Sequence, residues 1–225
     1  MDLQRLHDDV WTATAPQTML GLHLGTRMTI VRLPSGGLWV HSPIPLDDEG
    51  HEQLRALGPV EHVVAPNLYH HLHVGPMAHA HPGSVVHARP GLRKKRSDLH
   101  IDADLQGSTP DAWGDVFTAV HIEGTMLDEV VFLHRPSRML ISCDLVENFN
   151  TCEHLLTRVY LRLGGIYQKP GLSRPLRLVF QDRPRARAAI DRVIGLDFDT
   201  LVLSHGDLIH EGGPDVVAQS YRWLK

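Results

Sequence analysis

Short β-branched and apolar runs, punctuated by Gly and Pro, set the rhythm of this chain. Val10 to Thr14 and Met28 to Leu33 read as strands, and Pro34-Ser35-Gly36-Gly37 reads as the tight turn after the second. Leu38 to Ser42 returns as the partner strand and stops at Pro43. Asp47 and Asp48 then open a helix through about Leu57, with acids in its first turn where the dipole favours them. Gly58-Pro59 ends it, and Val60 to Ala65 is the next strand. Gly75 to His81 predicts a short helix and Ser84 to Ala88 another strand, whereas Pro90 to Gly114 has no clear period and reads mostly as loop. Three strands follow, at Val116 to Ile122, Glu129 to His134 and Arg138 to Cys143, with Pro136-Ser137 turning between the last two. Thr151 to Leu163 reads as a helix with Leu155, Val159 and Leu163 on one face, stopped by Gly164-Gly165. A helix from Arg185 to Ile194, a buried strand from Leu201 to Ser204 and a closing helix from Pro214 to Leu224 complete a layered α/β pattern.

The polar residues fall in telling places. His41, the pair His70 and His71, Asp144 and His205 each stand just after an apolar strand. Strand ends in layered α/β folds gather at one edge, where ligands bind. The richest is Val63-Val64-Ala65-Pro66-Asn67-Leu68-Tyr69-His70-His71-Leu72-His73-Val74-Gly75, a strand that Pro66 and Asn67 break into a histidine-rich turn. A sheet that fixes the backbone and a loop that aims ring nitrogens into a cleft suit a metal site.

Composition narrows the field. With 42% hydrophobic and 21% charged residues, the 225-residue chain can build a real core, and with no linker or repeat it reads as one domain over 1–225. A formal charge of −4 points to neither a nucleic-acid nor an anionic-membrane partner, and Arg93-Lys94-Lys95-Arg96 reads as a solvated turn. The N-terminus lacks the apolar core of a signal peptide, and no apolar run is long enough to span a bilayer. Cys143 and Cys152 form neither a disulfide framework nor a C-x-x-C motif, which suits a cytoplasmic protein, and Cys143 reads as a core residue. There is no G-x-S-x-G elbow, phosphate loop or dinucleotide fingerprint.

In the order of strands, turns and polar strand ends, the chain resembles the metallo-β-lactamase superfamily, a four-layer αββα sandwich with metals at one edge. That family's H-x-H-x-D-H motif, laid after the strand, puts its first two histidines on Pro66 and Leu68, its Asp on His70 and its last His on His71. Its G-H-T-P-G turn lies over Gly124-Thr125-Met126-Leu127-Asp128, so that the histidine falls on Thr125. Its bridging Asp matches Asp144, its late strand-ending His matches His205, and its early Asp falls on His41. Thr26-Arg27-Met28 and His41-Ser42-Pro43 resemble phrases of a divergent, uncharacterised branch of the superfamily.

The resemblance implies a metal-dependent hydrolase acting on a small molecule through a reduced site. The first metal loses its three histidines, while the second keeps His71, Asp144 and His205, with His70 in place of the Asp. Glu129, opening the strand after the altered turn, is a further candidate ligand, and Asp144 and His70 are the candidate catalytic residues. Imidazoles with a carboxylate suit zinc, iron or manganese. An iron-dependent redox enzyme using Glu129, and a non-catalytic member that has lost its metal, are the alternatives. His41 is expected to support a ligand from behind, and Asn67 to shape the turn.

Overall fold

Alternation along the strands sorts side chains into three apolar layers, and those layers build the fold. The computed structural model describes residues 1–224. Its strands are β1 (Leu3–His7), β2 (Val10–Ala15), β3 (Thr18–Met19), β4 (Leu22–His23), β5 (Thr26–Arg32), β6 (Leu38–His41), β7 (Val60–Ala65), β8 (Val85–Ala88), β9 (Ala103–Asp104), β10 (Phe117–His121), β11 (Val130–His134), β12 (Met139–Ile141) and β13 (Thr200–Val202). The helices are α1 (Asp48–Leu57), α2 (Val74–Ala80), α3 (Pro90–Lys95), α4 (Leu155–Gly164), α5 (Arg183–Ile194) and α6 (Gly213–Ser220).

One sheet runs in the order β1-β2-β5-β6-β7-β8-β9 and the other β10-β11-β12-β13. Val40, Val63 and Val86 face outward onto Leu54 of α1, Met77 of α2 and Leu92 of α3. Their neighbours Trp39 and Val64 face inward and meet Phe117, Phe132 and Ile141 of the second sheet. On the far side, Val131, Leu133 and Leu140 pack under Ala189, Ile190 and Val193 of α5 and Val217 of α6. The result is an αββα sandwich, and the period of two in each strand is what allows both faces of both sheets to be buried.

Most expected elements form where the pattern puts them. Helix α1 starts at Asp47, whose side chain accepts from the Gly50 amide, as an N-cap should. The stretch from Pro90 to Gly114 is more ordered than its sequence suggests, because it holds α3 and β9, and α3 is too short to show a period. Helix α4 departs most. It begins at Leu155 rather than Thr151, and the face carrying Leu155, Val159 and Leu163 points to solvent. The buried side is instead Thr157, Leu161 and Gly164, because the small cluster of Leu24, Phe149, Leu161 and Ile166 lies beneath that side. Cys143 is fully buried, as a core residue.

Candidate functional site

The carboxyl ends of β6, β7, β12 and β13 meet at one edge of the sandwich. There the β7 turn is stitched to the second sheet, since the Val130 amide donates to Pro66 O and the Leu68 amide to Leu127 O. Asn67, completely buried, shapes this turn. Its side-chain oxygen accepts the Tyr69 and His70 amides at 2.8 Å each, an Asx turn that throws His70 toward the edge. Its amide donates to Asp144 Oδ2 at 2.7 Å. Asn67 thus fixes two candidate ligands from opposite strands at once.

His70, Asp144 and His205 come together here, with one ligand atom of each within 4.8 Å of the others. His70 Nε2 stands 3.6 Å and His205 Nε2 3.4 Å from Asp144 Oδ1. The opposite ring nitrogens are anchored, His205 Nδ1 to Gly25 O at 2.8 Å and His70 Nδ1 to Ser42 Oγ at 2.8 Å. The anchor on a carbonyl makes Nδ1 of His205 the N–H, so that in the neutral ring Nε2 offers a lone pair toward the carboxylate.

Those lone pairs test whether a metal suits the site. An uncharged imidazole nitrogen facing a carboxylate oxygen is repulsive unless a proton or a cation lies between them. In a tetrahedral zinc site with bonds near 2.0–2.1 Å, ligand atoms stand about 3.3–3.4 Å apart, close to both separations here. Two imidazoles and a carboxylate are a suitable donor set, and each has an outside partner of the sort that metal ligands need. The residues fit a divalent metal.

The electrostatics couple the three side chains. Burial alone would raise the Asp144 pKa, yet the two histidines beside it reverse this and hold it well below the usual carboxylate range. Burial would likewise lower His205, but its contact with Asp144 outweighs that and raises it. The His205 turn is braced by Arg27, whose guanidinium donates to Leu203 O and, at 2.8 Å, to Gly206 O. Gly206 has φ +88°, and a Cβ there would sit 1.8 Å from Asn148 O, so only glycine allows this close approach.

The remaining candidates stand elsewhere. His71 lines the same cleft but is not in the cluster, and its Nδ1 accepts from Arg96 at 3.0 Å. Burial, then Lys95 and Arg96, lower its pKa to about 4. Glu129 is also outside the cluster, buried behind it. Its two oxygens accept the Cys143 amide at 2.6 Å and the Asp144 amide at 3.0 Å, so it holds the loop that carries Asp144. Burial, then the Asp144 charge, push its pKa up to about 8. His41 lies between the sheets against Trp39 and Phe132, with its Nε2 unpartnered. Thr125 bonds within its own turn, to Ile122 O and from the Asp128 amide.

Sequence reasoning missed Ser42 and Arg27 as parts of the site. Both carried a signal: a charged residue inside an apolar strand, and a serine where β6 ends. Ser42 adopts φ 53°, a conformation that non-glycine residues seldom take outside turns and functional sites.

The cluster forms the floor of a cleft of about 620 Å³, a volume suited to a small molecule. Its walls are largely apolar, including Met19 and Leu20 of the β3–β4 hairpin, Leu127, Leu176 and Val179, with Tyr69 and Lys95 at one side.

Solved structures share this arrangement of layers. The metallo-β-lactamase from Pontibacter korlensis superimposes with a TM-score of 0.67, at 16% identity, over 99% of this chain and 98% of that one. The fold is that of the metallo-β-lactamases. A metallo-β-lactamase from Hirschia baltica matches at TM-score 0.67 and 13% identity, over 97% of this chain and 95% of that one. The FIM-1 metallo-β-lactamase from Pseudomonas aeruginosa, solved in its mono-zinc form, matches at 0.65 and 14%, over 96% and 92%. A family model described as a domain of unknown function, DUF4336, matches residues 7–93. That stretch contains Arg27, Ser42, Asn67 and His70 but neither Asp144 nor His205. A sequence search of curated proteins finds no match.

Proposed function

We propose that this chain is a metal-dependent hydrolase that holds one divalent metal with His70, Asp144 and His205 and acts on a small molecule in the cleft above them. One observation carries the reading. Two imidazole nitrogens and a carboxylate oxygen converge at ligand-like separations while their other atoms are anchored by Ser42, Asn67 and Gly25. A metal bound there supplies Lewis acidity, polarising a carbonyl or phosphoryl oxygen and acidifying water.

The chain's own residues do the rest. His205 keeps its proton on Nδ1, donated to Gly25 O, and so presents Nε2. The Asn67 amide holds Asp144 Oδ2 and thereby aims Oδ1 at the floor. Ser42 orients His70, and Glu129 holds the Asp144 backbone in place. Asp144 and His70 are the catalytic pair in this reading, and with His205 they line the cleft floor. The apolar walls shed water and bind the non-reacting part of the substrate, which strengthens every charge interaction at the floor.

Zinc is our first choice of metal, because two histidines and an aspartate with a remaining open position suit it. An iron-dependent redox enzyme with Glu129 as ligand has less support, because both Glu129 oxygens are taken by backbone amides. Metal analysis of the purified protein tests the reading. About one equivalent of zinc, iron or manganese, lost together with hydrolysis of ester, thioester, lactone or phosphoester substrates in His70→Ala and His205→Ala, is the expected result. A protein that binds no divalent metal even when supplied would instead be a non-catalytic member of the fold.

A further inference from the structure

Helix α4 turns an apolar stripe outward. Leu155 and Leu163 are 66% and 71% exposed, and Leu156 and Val159 lie exposed beside them. Arg158 and Arg162, four residues apart, run along one edge of that stripe. At both ends the stripe adjoins elements that line the cleft. Leu156 reaches the β3–β4 hairpin, its Cδ2 lying 3.6 Å from where a Cβ on Gly21 would stand, and the adjacent hairpin residue Leu20 is 94% exposed. At the other end Arg174 donates to Leu163 O at 3.3 Å and leads into the turn Leu176–Val179. Leu176 and Val179 line the cleft, while Leu178 between them is exposed.

Charge distinguishes this face from the rest of the molecule. Between residues 155 and 179 lie Arg158, Arg162, Lys169, Arg174 and Arg177 and not one acid, in a chain whose formal charge is −4. Among the described residues, none of these five makes a salt bridge, whereas the neighbouring Arg185, Arg187 and Arg192 pair with acids. Arg162 and Arg177 stack instead on Tyr167 and Trp223, so their charges have no acid to neutralise them. A contiguous apolar patch marks an interaction site, and a leucine stripe edged by arginines without acid partners is the pattern of a helix lying in a membrane interface.

We propose that this face docks onto the surface of an anionic lipid bilayer. The α4 leucines, with Leu20 and Leu178, enter the boundary of the acyl chains, and the arginines sit at the level of the headgroups. A second copy of the chain is a poor occupant, because two such cationic faces would repel each other. In this proposal the net charge does not describe the face, because it averages over a strongly basic segment and an acidic remainder. Docked in this way, the apolar cleft opens toward the lipid. The docking rests on α4 and its surroundings, independently of the metal.

Vesicle sedimentation of the full chain tests this. Vesicles of phosphatidylcholine containing about one-third phosphatidylglycerol should bind the protein at least about tenfold more tightly than pure phosphatidylcholine, and added salt should weaken the binding. Each arginine near the surface contributes about fivefold, so Arg158→Glu with Arg162→Glu should weaken binding by more than about 25-fold. Leu155→Asp with Leu163→Asp should abolish it while leaving the circular dichroism and melting curve unchanged. Asp144→Asn should bind vesicles like the unaltered protein, which separates this proposal from the metal reading. Equal binding to both vesicle types, no binding to either, or undiminished binding by the leucine variant would overturn it. So would a dimer in solution that the leucine variant dissolves, since the face would then belong to a second copy.

Discussion

One buried histidine at the sheet edge can be compared with four between the sheets of the same fold. At the sheet edge, His205 sits beside Asp144 and its pKa is raised. Between the sheets, His41, His62, His87 and His134 pack against Trp39, Trp113 and Phe117. Burial there lowers them all, His41 to about 3 and His87 and His134 to about 4. Residue type and burial are alike in the two places, and the proton affinities are opposite. A buried imidazole stays neutral and inert unless the fold delivers a carboxylate to it. Histidine number is therefore a poor guide to a site, and the position of one aspartate is a good one.

The most damaging change to this contrast is Asp144→Asn. Loss of the carboxylate should lower metal affinity by more than about 100-fold, beyond the 10–100-fold typical of losing a ligand's partner. Competition with a chelating dye measures it, and unchanged affinity would remove Asp144 from the site.

Next is pH. The interior histidines have folded pKa values below the unfolded value near 6.5, so the unfolded chain binds more protons. Their stability contribution is complete above about pH 6.5 and is lost as pH falls toward 4. At about 1.4 kcal/mol per pKa unit, stability should drop by at least ~2 kcal/mol between pH 7.5 and pH 5. Because the raised Glu129 carboxyl acts in the opposite sense over the same window, urea midpoints at the two values are compared in Glu129→Gln, where equal midpoints would mean these rings are not held neutral.

Ser42→Ala probes the edge more gently. It removes the hydrogen bond to His70 Nδ1 and should weaken metal binding about 10-fold, with a melting temperature within a few degrees of the original. The smallest effect is expected of His71→Ala, under about threefold in metal affinity, because that ring faces Arg96. A large loss on His71→Ala with none on His70→Ala would mean that the turn presents the other imidazole.

Much of this fold can be read along the chain. The β-branched runs at Val10, Met28, Val60 and Val130, the hairpin at Gly36 and the Asp47 cap act over a few residues, where propensity, capping and turn chemistry decide. The αββα resemblance and the placing of Asp144 and His205 after apolar strands were legible for the same reason. Elements too short for a period, such as α3 and β9, were not.

Three further matters lay beyond any local rule. His70 and His71 are adjacent and chemically identical, and only the Asx turn at Asn67, tied across the sandwich to Asp144, decides which of them faces the cluster. Glu129 precedes a strand as a candidate ligand would, but the Cys143 and Asp144 amides, 14 and 15 residues away, take both its oxygens. The leucine stripe of α4 has the spacing of a packed face, yet the cluster around Leu161 lies on the opposite side and leaves the stripe outside. Sequence determines what each segment can form and which side chains can do chemistry, because those properties are local. Which partner each meets is decided by the tertiary structure, because it depends on chain segments far apart in sequence.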